Sequence, residues 1–176
     1  MSDFISRFDS NLTAHIQRLP SGLHPLMEFA TFIGQPILVL SVAGIIALTA
    51  WFKGAERIFW TLCAGAGGFL LNTIIKFSVQ RERPGGLEKH DLFLKSYSFP
   101  SGHAFVAVFF YGLLAFLAFK YLPQPWNYIA GILITALVLL ISVSRVYLGE
   151  HYPSDILVGW LLGAICLFVV VRFIKP

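Results

Sequence analysis

The sequence predicts an all-α integral membrane protein, a bundle of about five transmembrane helices with an amphipathic surface helix at its N-terminal end. Two observations predict this class. Of the 176 residues, 57% are hydrophobic and only 12% are charged, whereas a soluble domain contains about a quarter charged residues. The charges are also spaced so that long apolar intervals separate them, and a helix that crosses a bilayer needs about 20 mostly apolar residues.

The N-terminal segment predicts a helix that lies on the membrane surface. Its apolar residues recur at helical spacing among polar ones. They are Phe4, Ile5, Phe8, Leu12, Ile16 and Leu19. A disordered tail that binds the membrane weakly is the alternative interpretation. We expect a single domain, with residues 1–22 as the interfacial helix and residues 26–176 as the transmembrane bundle.

Five apolar intervals predict the five spans. Gly34, Gln35 and Pro36 interrupt the first interval, so its helix is expected to begin at Pro36. Pro123 and Pro125 end the third span and open the fourth. The predicted spans are residues 36–52, 58–75, 104–120, 125–144 and 156–171. The charged segment from Arg81 to Phe99 is predicted to be a loop.

The ionisable residues at the ends of these spans are expected on one side of the membrane. With five alternating crossings, Lys76 ends the second span, His103 begins the third, Arg145 ends the fourth and Asp155 begins the fifth. Such residues are costly at membrane depth and usually face the bundle interior or a water-filled cavity. We therefore expect a functional pocket at one mouth of the bundle.

The residue types at this mouth favour a multiply charged anion, and phosphate fits best. Lys76, Arg83 and Arg145 supply three cations, and the first two project from one helix face if the second helix continues as far as Arg83. The third span begins near Ser101 and Gly102. Serine can cap a helix, glycine lets the backbone approach a ligand closely, and a helix N-terminus attracts anions.

Two histidines near the same mouth indicate the chemistry. Asp155 follows His151 by four residues, so its carboxylate can hold one imidazole nitrogen and leave the other as a nucleophile or base. His103 is then available as a separate acid. One histidine that attacks phosphorus and another that protonates the leaving oxygen make up a complete double-displacement phosphatase, with cations and helix ends stabilising the charge.

Three motifs carry a family resemblance. They read Lys76-x6-Arg83-Pro84, Pro100-Ser101-Gly102-His103 and Ser144-Arg145-x5-His151-x3-Asp155. In this order and spacing they resemble the three-part signature of the type 2 phosphatidic acid phosphatase (PAP2) superfamily. The resemblance implies a membrane lipid phosphatase that needs no metal and no other cofactor.

The resemblance also implies a role for each motif residue. The residue at His151 takes the phosphoryl group, the one at Asp155 orients that histidine, and the one at His103 protonates the leaving group. The implied phosphate-binding residues are Lys76, Arg83, Ser101, Gly102 and Arg145. Members of this type commonly have six spans, so this chain is expected to lack the first one and to place its amino terminus on the catalytic side.

The expected partners are the membrane and a lipid phosphate of the undecaprenyl pyrophosphate, phosphatidylglycerophosphate or phosphatidic acid type. Nucleic acid is not expected, because the net charge of +4 comes without a basic cluster on a polar surface. No feature of the sequence indicates an oligomeric state. Two alternatives stay open: vanadium-dependent haloperoxidation, whose enzymes share the motifs but are soluble, and a non-enzymatic protein that binds or transports an anionic lipid.

The distribution of charge predicts the orientation. The face opposite the motifs has five Lys or Arg residues and one acidic residue in very short loops. Because cytoplasmic loops are enriched in Lys and Arg, we expect a multi-pass cell-membrane protein whose catalytic face is extracytoplasmic. Some charged residues on that face are expected to be solvated and to have no direct role. They are Lys89, His90, Asp91, Lys95 and Glu150.

Overall fold

The computed structural model describes residues 3–86, 89–91 and 94–174, and most of these residues are helical. The α-helices are α1 (Asp3–Gln17), α2 (His24–Ile33), α3 (Pro36–Phe52), α4 (Glu56–Val79), α5 (Gly102–Val106), α6 (Gly112–Tyr121), α7 (Trp126–Tyr147) and α8 (Pro153–Ile174). Short 3-10 turns lie at Ser21–Leu23 and Pro84–Gly86. A π-helical turn at Ala107–Tyr111 joins α5 and α6 into one continuous helix.

Within the described residues, five helical segments are long and apolar enough to cross a membrane. They are Ser21–Phe52, Glu56–Val79, Gly102–Tyr121, Trp126–Tyr147 and Pro153–Arg172. Large apolar side chains on their outer surfaces, such as Ile45, Leu133 and Phe168, are at least 60% exposed, as expected of side chains that face lipid rather than water. The prediction of an all-α membrane bundle with about five spans is confirmed.

The break in the first apolar interval has the predicted position. Pro36 begins α3, because its fixed φ suits the first turn of a helix and its missing N–H is not needed there. The residues before the break are also helical and form α2, a helix that the sequence pattern did not predict. Thr31 on α2 accepts a hydrogen bond from Arg145 on α7, so α2 is attached to the mouth of the bundle.

The segment predicted as a loop has some structure of its own. Lys89–Asp91 (β1) pairs with Leu94–Ser96 (β2) in a short antiparallel sheet. Before it, α4 ends at Val79, and Gln80 adopts a left-handed conformation with φ of 54°. The second helix therefore does not continue to Arg83, and the prediction that Lys76 and Arg83 share one helix face is wrong.

Two glycines bring α8 close to the helix that follows Ser101. A Cβ atom on Gly159 would lie 2.5 Å from the carbonyl oxygen of Ser101, and one on Gly163 would lie 2.8 Å from that of Phe105. Small residues of this kind let membrane helices approach at backbone distance. The start of α8, which holds Asp155, is thereby held beside the start of α5, which holds His103.

Candidate active site

A cavity of about 520 Å³ opens at the mouth of the bundle. Its polar wall contains Lys76, Arg83, Gly102, His103, Arg145, Glu150 and His151. Its apolar wall is formed by side chains of α2, α3 and α4, namely Phe32, Pro36, Ile37, Leu40, Phe69 and Phe77. Six of the eight predicted site residues thus line one cavity. The other two, Ser101 and Asp155, are fully buried next to it.

His151 and Asp155 lie in the tight turn that joins α7 to α8. The backbone N–H of His151 donates to the carbonyl oxygen of Arg145 at 3.2 Å, and this contact folds the turn back onto the end of α7. His151 is only 2% exposed, and its Nδ1 atom lies 3.5 Å from Oδ2 of Asp155. The carboxylate therefore faces one imidazole nitrogen, as the four-residue spacing predicts.

The surroundings of His151 favour its neutral form. Burial away from water lowers the pKa of the imidazole, and the positive charges of Arg145, Lys76 and Arg83 lower it further, so that it falls well below the usual value of 6.5. At neutral pH the imidazole is consequently unprotonated. A neutral imidazole nitrogen has the lone pair that a nucleophile needs.

The start of α5 places His103 in the cavity. Ser101 is the N-cap residue, and its hydroxyl accepts a hydrogen bond from the backbone N–H of Ala104 at 3.3 Å. The backbone N–H of Ser101 donates to the carbonyl oxygen of Asp155 at 3.1 Å. This bond connects the second motif directly to the third, so that the half-buried His103 and the buried His151 face the same cavity.

Lys76 and Arg83 reach the cavity in different ways. The Lys76 ammonium donates to the carbonyl oxygens of Tyr97 at 2.8 Å and Pro100 at 2.9 Å, and it thereby holds the segment that leads into α5. Arg83, which lies after the end of α4, donates through Nη2 to the Ser96 hydroxyl at 3.0 Å. The loop, and not a continuous helix, brings the two cations together.

Glu150 is not the solvated loop residue that the sequence predicts. Its Oε2 atom accepts hydrogen bonds from Nη1 of Arg83, at 3.3 Å, and from Nη2 of Arg145. The carboxylate thus bridges two of the guanidinium groups that the motifs assign to phosphate. Its position just before His151 was the available signal, since any residue of this short turn lies close to the cavity. The side chains of Lys89, His90, Asp91 and Lys95 lie outside the described residues.

Sequence reasoning missed Arg81 and Asp9. The Arg81 guanidinium donates to Oδ1 of Asp155 at 2.6 Å and to Oδ2 of Asp9 at 2.7 Å, and it stacks over the ring of Tyr152 at 4.1 Å. Asp9 is 2% exposed although it belongs to the amphipathic α1. No spacing rule links residues so distant in the chain, and the burial of Asp9 within a helix predicted to lie on the surface has no sequence signal.

Comparison with known proteins decides the family. The sequence model of the PAP2 superfamily matches residues 57–176, which include all three motifs. The chain belongs to the PAP2 superfamily. It is 31% identical over 156 residues to phosphatidylglycerophosphatase B of Bacillus subtilis, covering 86% of this chain and 75% of that protein. It is also 31% identical over 156 residues to undecaprenyl-diphosphatase of Sulfolobus acidocaldarius, covering 85% and 70%.

A solved structure matches this PAP2 protein over nearly its whole length. The crystal structure of a transmembrane PAP2-type phosphatidylglycerolphosphate phosphatase from Bacillus subtilis superimposes with a TM-score of 0.81 at 26% identity, covering 98% of this chain and 87% of that one. The family recognised from the motifs is therefore confirmed. The chain is a multi-pass membrane protein and a lipid phosphate phosphatase, and the alternative of a non-enzymatic binding protein is set aside.

Proposed function

We propose that this protein hydrolyses the phosphate or pyrophosphate monoester of a membrane lipid through a phosphohistidine intermediate, without a metal ion. The observation that carries the proposal is the placement of His151, a buried histidine, in one cavity with His103 and three cations. The cations Lys76, Arg83 and Arg145 supply the positive charge that phosphoryl transfer requires.

The first half-reaction transfers the phosphoryl group to the enzyme. The Nε2 atom of His151 attacks phosphorus, because Nδ1 faces Asp155. A P–N bond forms while the bond between phosphorus and the leaving oxygen breaks. His103 donates its proton to that oxygen, and the dephosphorylated lipid, or the lipid monophosphate when the substrate is a pyrophosphate, departs. Asp155 stabilises the positive charge that develops on the His151 ring.

The second half-reaction releases phosphate. His103, now unprotonated, accepts a proton from a water molecule that attacks phosphorus, and the P–N bond breaks to regenerate neutral His151. Inorganic phosphate leaves, and both histidines return to their starting states. The same group thus acts first as an acid and then as a base, as required when a reaction proceeds in two displacements.

The shape of the cavity supports a lipid substrate. Its charged end is formed by the phosphate-binding residues, and its other wall is formed by apolar side chains of α2, α3 and α4, including Phe32, Ile37 and Phe77. Phe32 and Ile37 are more than half exposed on the outside of the bundle, where lipid is expected. The names of the two relatives support phosphatidylglycerophosphate and undecaprenyl pyrophosphate as candidate substrates, and phosphatidic acid has the same reacting group.

The charge distribution supports a catalytic face outside the cytoplasm. On the opposite side, the span ends carry the basic residues Lys53, Arg57, Lys120 and Arg172. The only acidic residue near these span ends is Glu56. Short loops of this composition are typically cytoplasmic. We therefore place the cavity on the extracytoplasmic side of the cell membrane, where it receives lipid phosphates of the outer leaflet.

Phosphate release from purified protein tests the proposal. The detergent-solubilised wild type, in excess chelator, is incubated with phosphatidylglycerophosphate, undecaprenyl pyrophosphate or phosphatidic acid, and released phosphate is measured. We expect release from at least one lipid without added metal, and a loss of about 10⁴-fold or more for His151→Ala, because the nucleophile is removed. After an alkaline quench, mass spectrometry should find the phosphoryl group on His151.

His15→Ala is the matched control, because His15 is an exposed histidine on α1 whose ring contacts only the Asn11 carbonyl oxygen among the described contacts. This variant should retain wild-type activity. Activity that disappears with chelator and returns with magnesium would overturn the metal-free mechanism. Full activity of His151→Ala would overturn the assignment of the nucleophile.

A further inference from the structure

We propose that Arg81 and Asp9 form a positioning pair that holds the carboxylate of Asp155 against His151, and that α1 contributes to the geometry of the active site through Asp9. Neither residue occupies a specified position of the three motifs, since Arg81 lies in the variable segment between Lys76 and Arg83. The inference rests on the proposed function, because it assigns a task to groups that act through Asp155. It adds a residue of the loop after α4 and a residue of the N-terminal helix to the set that controls catalysis.

The Asp155 carboxylate is held at both of its oxygen atoms. Oδ1 accepts a hydrogen bond from Nη1 of Arg81 at 2.6 Å. Oδ2 accepts one from the backbone N–H of Tyr152 at 2.9 Å and also faces Nδ1 of His151 at 3.5 Å. Without Arg81, the carboxylate loses the hydrogen bond at Oδ1 and keeps those from the Tyr152 N–H and the Ser98 hydroxyl, so it turns away from the imidazole more easily.

Arg81 is itself held by three further contacts. Its Nη1 atom donates to the hydroxyl of Ser154 at 2.7 Å, and its Nη2 atom donates to Oδ2 of Asp9 at 2.7 Å. Its Cζ atom lies 4.1 Å from the centre of the Tyr152 ring, within the range of a cation–π interaction. A guanidinium group suits this place because its planar fork can donate to two carboxylates at once.

Asp9 connects this arrangement to α1. Its side chain is 3% exposed, and it accepts hydrogen bonds from the backbone N–H of Ser154 at 2.9 Å and from the Ser154 hydroxyl at 2.7 Å. The backbone contact lies in the first turn of α8, one residue before Asp155. A helix that only rested on the membrane surface would have no reason to bury a charged residue against the catalytic turn.

The pair acts through Asp155 and not on the substrate. Arg81 and Asp9 do not line the cavity that contains His103, Arg145 and His151. The Arg81 side chain is 13% exposed, while those of Asp9 and Asp155 are 3% and 0% exposed, so the three charges interact away from water, where removing one of them is costly. We therefore expect Arg81 to affect the rate of the chemical step and not the binding of phosphate.

Enzyme kinetics with a phosphate analogue tests this assignment. We expect Arg81→Gln to lower kcat by about tenfold to a hundredfold, a loss of the size seen when an outer residue that orients a functional side chain is removed. Inhibition by sulfate, a tetrahedral dianion that the cavity cations can hold and that forms no bond to His151, should stay within about twofold of wild type, equivalent to less than about 0.5 kcal/mol. Arg81→Lys should recover part of kcat, because it keeps a positive charge near Asp155 but cannot bridge both carboxylates.

Asp9→Asn and the double variant Asp9→Asn/Arg81→Gln complete the design. The double variant removes one negative and one positive charge together and keeps the test valid if Arg81→Gln alone does not fold. If the two residues act as one unit, kcat of the double variant should be close to that of Arg81→Gln and not the product of the two single losses. The matched control is Arg7→Gln, an exposed arginine on α1 that should behave as wild type.

Two outcomes would overturn the inference. One is wild-type kcat in both Arg81→Gln and the double variant. The other is weaker sulfate inhibition in proportion to the loss of kcat, which would show a general disturbance of the cavity. Failure of the proposed function looks different, since wild-type protein itself would then release no phosphate in the presence of chelator.

Discussion

Glu150 and the substrate phosphate require the same two guanidinium groups. In the structure, the Glu150 carboxylate accepts hydrogen bonds from both Arg83 and Arg145, and both arginines face the cavity. Hydrogen bonds between charged groups are stronger than neutral ones. A phosphate group that enters the cavity and bonds to both arginines must therefore displace the carboxylate, and the displacement weakens phosphate binding by the free energy of those contacts.

We predict that Glu150→Gln binds phosphate more tightly than wild type. The amide keeps the size of the side chain but loses its negative charge, so it competes less well for the arginines. The inhibition constant of inorganic phosphate should fall by about fivefold, equivalent to about 1 kcal/mol, as measured by inhibition of lipid phosphate hydrolysis. Glu82→Gln, at an exposed position on the same side of the bundle, should leave the constant unchanged. Weaker inhibition in Glu150→Gln would show that Glu150 orients the arginines and does not compete with phosphate.

At the scale of helices, the packing of α8 against α5 determines the geometry of the site. Gly159 lies one turn after Asp155, and its place in the helix leaves no room for a side chain, because a Cβ atom would lie 2.5 Å from the Ser101 carbonyl oxygen and 2.9 Å from the Ala104 Cβ atom. The close approach keeps the backbone bond from Ser101 to Asp155 short. It therefore keeps His103 and His151 at one cavity.

We predict that Gly159→Ala destabilises the protein and lowers its activity. The new methyl group pushes α8 away from α5, an overpacking that costs about 1–3 kcal/mol, and the displacement separates the two histidines. Thermal unfolding in detergent and phosphate release measure the two effects. Gly67→Ala is the matched control, because Gly67 lies within α4 and a Cβ atom there would have no neighbour within 4 Å. Equal behaviour of the two variants would contradict the role given to the helix contact.

The helices themselves were largely predictable, whereas the contacts between distant segments were not. Long charge-free intervals and prolines such as Pro36 and Pro153 mark span positions directly, because the bilayer demands about 20 apolar residues and proline suits a first turn. Apart from Arg83, the motif residues also lie near the span ends, as the sequence predicts. By contrast, the contact between Asp9 and Arg81 forms only when α1 packs against the start of α8. That packing depends on the fit of side chains from segments 72 residues apart, which the sequence does not reveal.

Glu150 shows the same limit at shorter range. Its charge and its place in a turn are typical of a solvated residue, and only the fold of the loop around Arg83, anchored at Ser96, brings a second guanidinium to it. The predicted position of Arg83 on an extended α4 was wrong for a related reason. The left-handed conformation at Gln80 ends that helix, and glutamine gives little sign of it, since glycine is the residue that usually occupies such positions.

For the whole molecule, the helix lengths and the placement of the charges define two unlike faces. The 24 residues of α4 extend about 36 Å at 1.5 Å per residue, enough to cross a hydrocarbon core of about 30 Å. One end of the bundle carries the cavity and the docked α1. The connections at the other end are short, and most of the charged residues near them are basic. Such an asymmetry favours one orientation in the membrane.

We predict that the cavity side is accessible from outside an intact cell. In a Cys63→Ala/Cys166→Ala background, Glu82→Cys places a thiol on the cavity side and Lys53→Cys places one at the opposite end, both at exposed positions. A membrane-impermeant maleimide should label Glu82→Cys in intact cells. It should label Lys53→Cys only after the membrane is permeabilised, because short loops rich in Lys and Arg usually lie in the cytoplasm. Both variants must retain phosphatase activity for the comparison to count. The reverse labelling pattern would place catalysis on the cytoplasmic side, and lipid phosphates of the inner leaflet would then be the substrates.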